Sequence, residues 1–265
     1  MKNFINTYWQ KVLFFILVGL IGGYFVGIYS FESYPIEMQQ QVISQGLDKN
    51  LLGLITAIQS AGYGLILGSL GILLSKKIGL WKDDIKFEKK SIVSSIIVAI
   101  IGGLSMILLD VFFFGNYSQA IVDSYLVKPT ISYIIAMVTY GAVIEEIMLR
   151  LFMMSLIAFI LHKIFERDKQ YTSTLILILS NIISAMLFAA GHLPVTSILL
   201  GLSPMIIFRC FLLNGGLGLL FGRLYRKHGI WYAMIAHGGC HIISKLIWIL
   251  FLWFNREIKL PIKNL

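Results

Sequence analysis

Runs of apolar residues long enough to cross a bilayer recur along the whole chain, at 12–31, 51–75, 91–114, 131–162, 172–192, 205–222 and 229–254. A helix rises 1.5 Å per residue, so about 20 residues cover a hydrocarbon core roughly 30 Å thick. This repeated length constrains the fold more than any other feature. It predicts an all-α protein, a polytopic transmembrane helical bundle of about seven spans, with six to eight as the range. Composition agrees: 58% of residues are hydrophobic and 13% charged, where a soluble domain has about a quarter charged. The first run has no small-residue cleavage site behind it and reads as a spanning helix rather than a removed signal peptide.

The formal net charge is +9, from 22 basic and 13 acidic residues. The basic residues gather in short connectors: six lysines in "SKKIGLWKDDIKFEKK" (75–90), a mixed but basic "HKIFERDKQ" (162–170), and "GRLYRKH" (222–228). Connectors 32–50, 115–130 and 193–204 are near-neutral or acidic. The alternation is a topology signal that favours a cytoplasmic N-terminus, so the expected partner is the lipid bilayer and not nucleic acid. The basic tail after 254 then falls on the outside, against the rule. Residues 32–50 read as a short interfacial helix. Cys210 and Cys240 lie in apolar runs and behave as small hydrophobes, not as a disulfide or metal framework. Glycines four apart, Gly64 with Gly68 and Gly218 with Gly222, would let helices approach closely.

One run carries "GAVIEEIMLR" (141–150), two glutamates and an arginine inside 131–162. At 1.5 Å per residue that run would rise about 48 Å, so it must tilt, project or break. Each charge near the bilayer centre costs about 2.5–3.5 kcal/mol on insertion scales, against about 0.3–0.6 returned per leucine. The trio therefore has to face protein or a watery cavity. Glu146 and Arg150 are four apart and can pair, which leaves Glu145 as the freer carboxylate. A carboxylate in a partly desolvated cavity suits proton transfer near neutral pH.

Three of the five histidines also fall at membrane depth: His192 in "MLFAAGHLP", and His237 and His241, four apart on one face of "AMIAHGGCHIISK". His162 and His228 sit beside basic connectors and read as solvated. Two chemistries fit the inner set. A glutamate and a histidine polarise a water for attack on an amide while other histidines stabilise the oxyanion. Alternatively His192, His237 and His241 hold Zn²⁺, although no glutamate follows the first histidine as in H-E-x-x-H. No cofactor is favoured, and zinc is the alternative. Asp110, Arg209 and Lys245, in or near apolar runs, read as helix-end or interhelical polar contacts.

"EEIMLR" (Glu145, Glu146, Arg150), "FAAGH" (Phe188, His192) and "HGGCH" (from His237) resemble, in order, the EExxxR, FxxxH and HxxxN-type motifs of the CPBP family. That family, also called Abi, comprises CAAX prenyl proteases and bacteriocin-processing membrane proteins. The resemblance spans roughly 125–250, which divides the chain into N-terminal helices without a motif (1–125), a catalytic helical core (126–255) and a short basic tail (256–265). It implies an intramembrane endopeptidase acting on a membrane-associated peptide or protein, in peptide pheromone or bacteriocin maturation or in CAAX-type processing, and residence in a bacterial cell membrane. It also implies roles: Glu145 activates water with His192, His237 and His241 stabilise the oxyanion, and Glu146, Arg150 and Phe188 support the site. Position 241 departs from the family pattern, with histidine where an amide or acid is usual; imidazole can still donate one hydrogen bond. That departure keeps a rival in view, a noncatalytic membrane partner or bacteriocin self-immunity protein using the same polar cluster to bind or to hold helices. A proton-coupled transporter is a further class, disfavoured because no internal repeat is visible.

Overall fold

The structure is a computed structural model that describes residues 2–82 and 88–258, with side chains from 7 to 253 of these. The basic tail beyond 258, and residues 83–87 of the lysine-rich connector, lie outside the described residues. Long helices dominate: α1 (Lys2–Ser33), α3 (Lys49–Lys77), α4 (Lys89–Phe112), α6 (131–165), α7 (Thr174–Gly191), α9 (Pro204–His228) and α10 (Ile230–Ile258). Short helices α2 (Ile36–Ser44), α5 (Gln119–Leu126) and α8 (Leu193–Leu200) join them. Six helical segments are long and apolar enough to cross a membrane, and α7 with α8 forms one of these. Helix α2 exposes Ile36 and Ile43 and buries nothing, in line with the expected interfacial helix.

Helix boundaries follow local chemistry. Thr130 accepts from the backbone N–H of Tyr133 at 3.2 Å to start α6, and Ser203 accepts from Ile206 at 3.3 Å with Pro204 in the first turn of α9. Gly229, at φ +105°, lets α9 turn directly into α10.

Helix α6 neither breaks nor needs to project by its full α-helical length. Met137–Glu145 and Ile147–Met154 bond in the wider π register, with Glu146 at the seam between them. An i→i+5 pattern holds more residues per turn and rises less per residue, so it absorbs part of the excess length. Such stretches are rare and concentrate at functional sites.

Helix α6 packs against α1, α3, α7, α9 and α10, and α4 packs on α10. Ile144, Ile147, Leu151, Met154 and Ala158 of α6 are fully buried, in a core shared with Phe15 of α1, Ile72 of α3, Phe221 of α9 and Ala236 of α10. The helices without a motif thus wrap the one that carries the charges. Small residues make the fit. A Cβ on Gly19 would sit 2.6 Å from the Ser60 carbonyl oxygen, one on Gly64 2.6 Å from that of Phe15, and one on Gly23 would collide with the Thr56 carbonyl. Gly23→Leu is expected to separate α1 from α3 and lower the yield of folded protein, measured by detergent-solubilised monodispersity, with Ile21→Leu on the exposed face as the neutral control.

Gly218 and Gly222 serve differently: they admit the Arg150 guanidinium and the Asn181 amide rather than another backbone. Both cysteines are buried free thiols. The solvated reading is corrected for His162, whose side chain is 13% exposed and whose Nδ1 is buried beside Glu166; His228 is only half-buried, with Nδ1 2.8 Å from Ser91 Oγ, a tie from α9 to α4.

After α6, Glu166 accepts from Lys169 Nζ at 2.7 Å and from the Ser173 N–H at 2.9 Å. The Lys169 ammonium first, then Ser173, hold this carboxyl down from 4.5 to about 2. A lowered carboxylate pKa contributes stability above the ordinary value and loses it as pH falls through the folded one. Glu166→Gln is expected to flatten the loss of thermal stability between pH 4.5 and about 2, read by unfolding in micelles.

Candidate active site

The charged residues of α6 meet α10 inside the bundle. Arg150 Nη1 lies 3.0 Å from Glu146 Oε1, with both side chains sealed from solvent. The pair is close enough to be ionic without being aligned as a hydrogen bond, because Arg150 Nη1 and Nη2 and Glu146 Oε2 are buried without hydrogen-bond partners. Two rings support the guanidinium, Phe188 at 4.6 Å and Phe221 at 5.5 Å from Cζ.

Glu146 is also the anchor of His237, whose Nδ1 lies 2.8 Å from Oε1. On the other edge of that ring, Nε2 faces Glu145 Oε2 at 3.9 Å. Phe221 stacks on His237 at 4.5 Å and 18°, and His241 stacks on it at 4.9 Å and 30°. His241 Nδ1 is buried and unpartnered, and Gly141 makes room for the ring: a Cβ there would come 3.1 Å from His241 Nε2. Glu145 keeps 19% of its side chain exposed while Glu146 keeps none. The two adjacent carboxylates thus occupy different environments, one sealed and one reachable.

His192 ends α7, with Nδ1 2.8 Å from the Phe188 carbonyl and its ring edge-on to Phe188 at 4.6 Å. Phe188 in turn stands 6.0 Å from His237. The family resemblance pairs Glu145 with His192. Among the described residues no hydrogen bond or ion pair joins them, and the histidine that faces Glu145 is His237, at 3.9 Å. His192 lies a turn beyond Phe188, about 6 Å along α7.

Both clear hydrogen bonds to imidazole put the proton on Nδ1: His237 donates to a carboxylate and His192 to a backbone carbonyl. Their Nε2 atoms are then acceptors. Acceptors on Glu145, His192 and His237 and the unspent nitrogen of His241 make up the reactive inventory. His192, His237 and His241 are not grouped as ligands of one ion; among the described residues no three His, Cys, Asp or Glu side chains are. Phe221 escaped the sequence reading because nothing separates it from the 18 phenylalanines of the chain. Gly218 left a signal in its spacing from Gly222, but not its role beside Arg150.

The model of the family described as Rce1-like, type II CAAX prenyl endopeptidase, matches residues 127–243. This segment is Rce1-like. It runs from just before α6 to just past His241 and holds every residue of the cluster, so the resemblance read from the three motifs stands. The match covers residues 127–243 of the 265, within a chain whose described residues include six helical segments long and apolar enough to cross a membrane. No curated protein and no solved structure matches the chain.

Proposed function

We propose that the protein is an intramembrane endopeptidase of the CAAX type, hydrolysing a peptide bond in a membrane-associated peptide or protein. The observation that carries this reading is the Glu145 carboxylate, 19% exposed, facing His237 Nε2 at 3.9 Å beside the sealed Glu146–Arg150 pair. Two acceptors at that spacing suit a water between them. Glu145 takes a proton from the water as its oxygen bonds to the scissile carbonyl carbon, while His237 Nε2 accepts a hydrogen bond from the O–H that remains.

The oxyanion that forms receives a hydrogen bond from His241, whose buried Nδ1 has no other partner. When the C–N bond breaks, the proton on Glu145 passes to the departing amine. His192 Nε2 accepts from a peptide N–H and orients the substrate. Glu146 and Arg150 hold His237 in its tautomer, with Phe188 and Phe221 as walls. This division of labour departs from the resemblance, in which His192 pairs with Glu145 and His237 binds the oxyanion.

Mass spectrometry of peptides released by cells carrying wild type or Glu145→Gln, at matched membrane levels and with a chelator arm, tests the reading. Products that vanish in the variant and survive chelation support it. Identical products from both proteins refute it, and loss on chelation alone transfers the chemistry to a metal.

A further inference from the structure

Most polar side chains at membrane depth are spent inside the bundle. Asp110 of α4 accepts from Arg209 Nε and Nη2, each at 2.6 Å, and from Tyr125 at 2.9 Å, the interhelical contact expected from the sequence. Lys245 lies over the rings of Tyr133 and Trp248, and Asn181 donates to the Leu219 carbonyl at 3.0 Å. Gln59 of α3 differs, because it stands on the outside. The residues of α3 that the bundle buries recur every three to four positions, at Gly53, Ala57, Ser60, Gly64, Gly68 and Gly71. The opposite side, which faces lipid, therefore carries Ile55, Ile58, Gln59, Gly62, Ile66 and Leu70. Gln59 is exposed there between Ile58 at 71% and Ile66 at 58%.

Gln59 follows Lys49 by ten residues and precedes Lys77 by eighteen, about 15 Å and 27 Å along the helix, so its amide stands well inside the hydrocarbon. Its Nε2 donates to the Tyr63 hydroxyl at 2.7 Å. A carboxamide has two N–H groups and an acceptor oxygen. One N–H and Oε1 are thus left without a hydrogen bond among the described residues, and hydrocarbon supplies neither a donor nor an acceptor. Three residues further on, a Cβ added to Gly62 would meet nothing within 4 Å, so the backbone of α3 is bare beside the amide.

We propose that this face of α3 is the contact between two copies of the chain in the membrane, with the two Gln59 amides paired across a two-fold axis. An axis along the membrane normal brings the same residue of each copy to the same depth. Each Gln59 then donates its spare N–H to the Oε1 of the other, and both amides are satisfied at once. A different helix would have to present a donor and an acceptor together at this depth, whereas a second copy carries both by construction. Gly62 supplies the close approach that such a crossing needs. Nothing in this contact depends on the peptidase reading, since Gln59 and Gly62 lie outside the matched residues 127–243.

The test is energy transfer between donor- and acceptor-tagged copies of the full chain in phosphatidylcholine liposomes, followed as lipid dilutes the protein. Wild type is expected to associate, and Gln59→Leu to associate about tenfold more weakly, the size of two interhelical hydrogen bonds in a bilayer. Thermal unfolding in micelles should be the same for both, because the change faces lipid. A second measurement uses cysteines in native membranes before extraction. Gly62→Cys is expected to give a disulfide-linked pair on oxidation, and Ile97→Cys, on the exposed side of α4, is not. Wild-type protein that stays monomeric at high density overturns the assignment, as does Gln59→Leu protein that associates as tightly as wild type. A Gly62→Cys adduct to a different chain hands the face to another protein.

Discussion

Glu145→Gln protein is expected to reach the membrane at wild-type level and to release peptide about a hundred- to ten-thousandfold more slowly, the range that general acid–base catalysis supplies. The change preserves size and removes only the ability to take a proton. Because Glu145 is 19% exposed and sits outside the sealed Glu146–Arg150 pair, its loss should leave thermal stability close to that of wild type. Single-turnover kinetics on purified protein separates this from a binding defect: the chemical step should slow while peptide affinity holds. A variant that cleaves at the wild-type rate would remove Glu145 from the mechanism. His241→Phe should also slow the chemical step, by less, since the ring keeps its stack on His237 but cannot donate to an oxyanion.

Arg150→Ala is expected to act on the fold instead. It leaves Glu146 fully buried beside a single imidazole, and breaking one side of a buried ion pair typically costs about 3–5 kcal/mol. Folded yield after detergent extraction should drop sharply, and Glu146→Ala should behave alike. The double variant Glu146→Gln with Arg150→Met removes both charges while the amide oxygen still accepts from His237. It should recover most of the yield. Full activity and normal yield for Arg150→Ala would show that Phe188 and Phe221 close the gap without it.

The apolar runs and the spacing of the charges made much of this visible in the sequence. Seven long helices could be counted because lipid leaves so few alternatives, and the Glu146–Arg150 pair followed from a four-residue spacing on one helix. Contacts that depend on where two helices meet were not legible. Glu145 faces His237, on a helix some ninety residues further along the chain, and no local pattern encodes that meeting. The π register of α6 was hidden as well, since hydrophobic periodicity over so apolar a stretch does not distinguish one hydrogen-bonding ladder from another. Along α1, Gly19 and Gly23 are as evenly spaced as the glycine pairs noticed elsewhere, and their meaning became clear only with Thr56 and Ser60 across the interface.

The seam at Glu146 bears on how the protein is made. Helix α6 leaves the ribosome with its charges already in place, while His237, the group that completes them, lies on the last long helix to be synthesised. Until α10 arrives, the nascent α6 can lean on α1, α3, α7 and α9, and none of these supplies a hydrogen bond or ion pair to Glu146 among the described residues. Release of α6 into lipid ahead of α10 would be unfavourable, so co-translational insertion should hold it at the translocon or within an insertase until the C-terminal helices can close around it. A ribosome stalled before residue 230 would then display a chain that membrane quality-control proteases can still extract, and completion of α10 is the step after which they no longer can.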